Sequence, residues 1–237
     1  MSPDRRSGLI AVGVFALVSA LGGPGQAQTI TAPTLTMAPV DQYLMDRNAE
    51  IALARTAAPA AVSGDAAVLV FGPHGYESAV KGKNGFVCLV ERSWLLNYDD
   101  PAFFRADVRL PMCLNPPAVQ SHLALNDRAT QLALAGRNKT QMFESIKADY
   151  DKKALPLPAP GSMCFMLSKQ QYFGPVYGNA DPHLMFWFAQ ADRMTWGAGI
   201  PGSPIYVNQN APDPITTFVI SAPKWSDGTP SPTMEMH

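Results

Sequence analysis

Asn84-Gly85 lies between two segments with the residue content of β-strands. The central residues of a type I′ turn need positive φ, which Asn tolerates and Gly adopts freely. A two-residue loop there would fold residues 76–83 back on residues 86–92 as a β-hairpin. Its register would set Lys83 opposite Phe86, Lys81 opposite Cys88, Ser78 opposite Glu91 and Glu77 opposite Arg92. The continuous apolar run from Phe86 to Val90 suits a strand covered on both faces. On this reading the charged residues hold a hairpin together and perform no reaction.

The elements around the turn follow from spacing and from stop signals. Asp41 can cap a helix reaching about Ala57, where Pro59 ends it. Residues 66–71 read as a short buried strand, and residues 97–117 as a long connection with Asp-Asp-Pro and Asn-Pro-Pro turns. Helical spacing runs over residues 117–134, with Asn126-Asp127 as a point of interruption. Asn138 with Gln141 three residues on predicts a capping box for a helix over residues 139–153. Residues 162–169, 183–190, 204–208 and 216–222 read as strands separated by Pro and Gly turns. The expected fold is therefore α+β: a mainly antiparallel sheet with two or three packed helices in a single domain.

The N-terminus predicts a destination. Arg5 and Arg6 precede an apolar run at residues 8–21, broken by Pro24, and Gly25 and Ala27 supply the small residues of a cleavage site. That order describes a signal peptide over residues 1–27. A spanning helix needs roughly 20 apolar residues, and this run is shorter. The expected organisation is a signal peptide, a disordered leader at 28–40, a globular domain at 41–223 and a flexible tail at 224–237. The mature protein is then exported to the periplasm or the exterior, with no transmembrane anchor after cleavage. The net charge of −1 argues against a nucleic-acid partner, which selects for a basic surface. Three cysteines permit one disulfide in an exported chain, and Cys88 with Cys113 is the pair nearest in sequence. Cys113 is also the least buried in pattern and the best placed for a reactive thiol.

Candidate chemistry is sparse. His74 and His183 each stand in a turn before a strand. Were those turns to meet, His74, Glu77, Asp181 and His183 would offer two imidazoles and carboxylates suited to a divalent metal. The plainer reading is that these residues close turns. Two Ser-x-x-Lys matches, at Ser78 and Ser221, lack the helix that brings Lys beside Ser. The Gly-x-Gly-x-x-Gly match at residues 197–202 contains Pro201 and precedes a strand, against a dinucleotide loop. Met166, Met185 and Trp187 are candidates for the wall of an apolar pocket, because Met fits irregular apolar space. The sequence thus points to an exported binding or accessory module without a catalytic constellation. The alternative is a metal-assisted hydrolase using His74 and His183 with Glu77 or Asp181.

Overall fold

β1 (Ala67–Gly72) is apolar and nearly buried along its length, so it needs a strand on each side and cover on each face. The computed structural model of the protein describes residues 36–208 and 214–231, the side chain of Asn208 excepted, and gives β1 that setting. The predicted signal peptide, residues 28–35 of the predicted leader and residues 232–237 of the predicted tail lie outside the described residues.

The chain reverses at Pro73-His74 into β2 (Gly75–Val80), which pairs antiparallel with β1. β3 (Val87–Glu91) lies on the other side of β1 and runs parallel to it. The hairpin predicted around Asn84-Gly85 does not form, because β1 separates its two strands. Residues 81–86 instead cross the start of β1. The Ala67 amide donates to the Phe86 carbonyl at 2.9 Å, and the Lys83 amide to the Asp65 carbonyl at 2.8 Å. Burial explains the choice. β2 carries Glu77 and Ser78 exposed and suits a sheet edge, whereas β3 is buried and takes an interior position. The predicted Glu77–Arg92 pair dissolves with the hairpin. Glu77 pairs with Arg47 on the surface, and Arg92 pairs with Glu50 in the interior.

β4 (Leu110–Leu114) pairs antiparallel with β3 inside what reads as a long connection in the sequence. It is followed by β5 (Met163–Met166), β6 (His183–Ala189), β7 (Ile205–Asn208) and β8 (Ile215–Ser221). The sheet has eight strands in the order β2-β1-β3-β4-β5-β6-β8-β7, antiparallel at every pairing except β1 with β3. Cys88 and Cys113 face each other directly across β3 and β4 and are joined by a disulfide, with Cα atoms 4.0 Å apart. Cys113 is therefore not a free thiol.

Four helices flank the sheet among the described residues, where two or three were expected. α1 (Arg47–Arg55) begins at Asp46, whose carboxylate accepts the Ala49 amide at 2.9 Å. The predicted start at Asp41 is a 3-10 turn, Val40–Tyr43, ahead of it. α2 (Ala60–Ser63) is a single turn after Pro59. α3 (Pro116–Leu134) runs unbroken through Asn126-Asp127, and α4 (Lys139–Asp151) carries the Asn138/Gln141 capping box. Alternation along the strands separates two cores. On one face Leu89, Met112, Leu114 and Met166 pack with residues of α3 and α4, including Ala118, Ala129, Met142 and Ile146. On the other, Val68, Cys88, Val90 and Cys113 pack with Leu53, Ala54 and Ala57 of α1 and its end. Met37, Ala38 and Val40, within the predicted leader, pack against the first core. In the predicted tail, the Ser226 amide donates to the Leu167 carbonyl and Lys169 pairs with Asp227.

Candidate functional site: an apolar cavity with a buried His–Glu pair

The four residues considered for a metal fall into two places. His74 is exposed in the β1–β2 turn and Glu77 is exposed on the edge strand β2. Asp181 precedes β6, and His183 opens it. β6 stands four places from β1 in the sheet, which at about 4.8 Å per strand separates the two turns by roughly 19 Å. The two pairs share an end of the sheet but not a site. Among the described residues, no group of three or more His, Cys, Asp and Glu side chains is placed to hold a metal ion.

His183 is instead a buried ring held by its own loop. Its Nδ1 lies 2.8 Å from the Asp181 carbonyl, which can only accept, so Nδ1 carries a proton. Gln171, fully buried, donates from Nε2 to the carbonyls of Ala180 and Asp181 at 2.7 and 2.9 Å and holds that loop in place. Burial lowers the His183 pKa, and the Asp181 carbonyl and charge oppose the shift without reversing it.

His183 lines a cavity of about 480 Å³ between the sheet and α3. Such a volume lies within the range of small-molecule sites. The floor comes from residues at alternate positions of β4, β5 and β6, among them Met112, Met166, Met185 and Trp187. Alternation puts them on one face of the sheet. Leu125 and Ala129 of α3 form the opposite wall. Tyr177 and Tyr206 also line the cavity and are 59% and 49% exposed, so they stand at its rim.

One polar feature of this cavity is a pair. Glu91 closes β3 and is 2% exposed; His122 sits on the second turn of α3. Nε2 of His122 is 2.8 Å from Oε1 of Glu91. The imidazole lies flat on Trp187, with ring centroids 4.2 Å apart and an interplanar angle of 20°. An ionised carboxylate only accepts, so Nε2 carries hydrogen and the ring's orientation is fixed by one bond and one stack. The neighbouring Ser121 hydroxyl, also on the cavity wall, is buried without a hydrogen-bond partner among the described residues. Below the pair, burial and the charge of Glu91 raise the pKa of the Cys164 thiol, so this cysteine is a packing residue.

Sequence reasoning missed His122 altogether. It lies in a helix with no motif around it, and its partner Glu91 was assigned to the hairpin register. The available signal was a polar, ring-bearing residue on the helical stripe that also carries Val119, Leu123 and Leu125.

No protein-family model matches this chain, and neither a curated protein nor a solved structure matches it.

Proposed function

We propose that this chain is an exported binding module whose cavity takes a small, largely apolar ligand. The observation that carries the reading is the cavity itself: about 480 Å³, walled by Met112, Leu125, Met166, Met185 and Trp187, with one buried polar pair to orient a ligand. The N-terminal charge and apolar pattern support export, and the Cys88–Cys113 disulfide suits an oxidising compartment. No helix among the described residues is long and apolar enough to cross a membrane. A metal-assisted hydrolase has no supporting observation, since its donors are split across the sheet.

The test is saturable binding of N-phenyl-1-naphthylamine, an apolar dye whose fluorescence rises in dry sites. Leu125→Trp should fill the cavity and abolish that rise while the protein stays folded. Absence of a saturable signal from the unaltered protein would dispose of the proposal. A second reading rests on the same His122–Glu91 pair: an imidazole oriented by a carboxylate is a competent general base. Turnover of a bound compound, lost in His122→Gln, would favour it over a purely binding role.

A further inference from the structure

We infer that the ligand of this cavity carries a protonated amine on its apolar body, seated against the Glu91–His122 pair. The inference rests on the binding reading above and adds the chemistry of the head group.

The argument begins with the sign of the charge. Glu91 and Asp100 line the cavity, and among the described residues no Lys or Arg does; Lys139, beside Asp100, donates its ammonium to the Asp100 carbonyl at 3.2 Å. The Glu91–His122 pair carries one negative charge when the imidazole is neutral and none when it is protonated, so neither state attracts an anion. His183 adds no positive charge near neutral pH, because burial lowers its pKa and outweighs the opposing Asp181 carbonyl. The arginines near this end of the sheet are turned to other partners. Arg92 donates to Glu50 and to the carbonyls of Tyr43 and Val90. Arg109 donates to the carbonyls of Ala106 and Val108.

The second step concerns what a cation would meet. A buried carboxylate is unfavourable unless its oxygens are partnered. Oε1 of Glu91 takes the His122 hydrogen at 2.8 Å, and the same carboxylate lines the cavity. The cavity lining is also rich in aromatic side chains, with Trp94, Tyr98, Phe173 and Trp187 inside and Tyr177 and Tyr206 at the rim. An ammonium group is attracted both to a carboxylate and to aromatic faces, and the attraction strengthens when water is excluded. A carboxylate ligand would meet two acidic side chains and, among the described residues, no Lys or Arg on the cavity wall. A neutral alcohol would fill the cavity and could donate one hydrogen bond to the carboxylate, but without the attraction between opposite charges.

Three probes with one body separate these cases: 4-phenylbutylamine, 4-phenylbutan-1-ol and 4-phenylbutanoate, titrated into the full chain at pH 7 by calorimetry. The amine should bind about tenfold or more tighter than the alcohol, and the carboxylate weakest. In Glu91→Gln the preference for the amine should vanish while the alcohol still binds. The comparison on the unaltered protein decides the matter even if that variant does not fold. Alcohol or carboxylate binding as tightly as the amine overturns the head-group inference and leaves the cavity reading standing. Binding of none of the three overturns both.

Discussion

Arg92 donates from Nη2 to Oε1 of Glu50 at 2.9 Å, and both side chains are wholly withdrawn from solvent. The same Glu50 oxygen accepts the Phe71 amide at 3.1 Å, and the Arg92 guanidinium lies 5.0 Å above the Phe71 ring. One ion pair thus ties α1 to the end of β1 and to the residue after β3. Breaking a buried pair from one side leaves an uncompensated charge, at about 3–5 kcal/mol. Glu50→Ala should lower stability by that amount in urea unfolding, whereas Glu77→Ala, which removes an exposed pair, should change it by less than about 1 kcal/mol. Equal losses in the two variants would contradict this assignment.

The disulfide and the third cysteine give a second prediction. Cys88–Cys113 closes a loop with a sequence separation of 25, worth about 3–4 kcal/mol by chain entropy. A Cys88→Ala/Cys113→Ala variant should melt about 10 °C lower. Native protein should show no thiol reactive with Ellman's reagent, and unfolded, unreduced protein should show one, Cys164. Rapid labelling of native protein would mean that Cys164 is not buried as described.

The sequence carried the parts of this fold that local chemistry decides. Asn138 and Gln141 form their reciprocal cap, strands β5 to β8 fall where aromatic and β-branched residues cluster, and the two-sided burial of β3 is present. Sheet order is a different quantity. Asn84-Gly85 does lie in a bend, with Gly85 at φ +79° but Asn84 outside the positive-φ region, and turn chemistry says nothing of which strand takes the interior place. Two apolar strands, β1 and β3, compete for buried positions, and the polar β2 is displaced to the edge. β4 was hidden because Pro111 sits within it, at a position paired with Val90. The cavity shows the same division. Met166, Met185 and Trp187 can be placed on strand faces by alternation, but His122 meets Glu91 only because α3 crosses the end of β3.

Gly82 tests the crossover directly. A Cβ at this position would lie 2.3 Å from the Ala67 amide nitrogen and 2.9 Å from the Ala67 Cα, both backbone atoms that cannot step aside. Gly82→Ala should therefore destabilise the fold by about 2–3 kcal/mol. In a hairpin centred on Asn84-Gly85, residue 82 would be an ordinary strand position and the same change would be nearly neutral. Gly85→Ala provides a reference: positive φ and Pro116 Cγ 3.0 Å from the new methyl predict a loss of about 1–2 kcal/mol. A Gly82→Ala protein as stable as the parent in urea would reject the β2-β1-β3 order.

His183 predicts a dependence on pH whose sign follows from its surroundings. The residue is 7% exposed and donates from Nδ1 to the Asp181 carbonyl. Burial holds its pKa below the unfolded value of 6.5. Between those two values the unfolded chain binds more protons than the folded one, so stability rises with pH across that window. The contribution is constant well above pH 6.5 and is lost progressively as pH falls toward the folded-state pKa. His183→Asn cannot take up a proton at this position, so it should lack that loss. The difference in urea midpoint between parent and variant should stay fixed from pH 8 to about 7, then shift steadily in the variant's favour down to pH 5. His74, His122 and His237 are present in both proteins and cancel in the difference. Parallel stability curves over the whole range would show that His183 titrates alike in the folded and unfolded chain, and that its wall of the cavity is open to water.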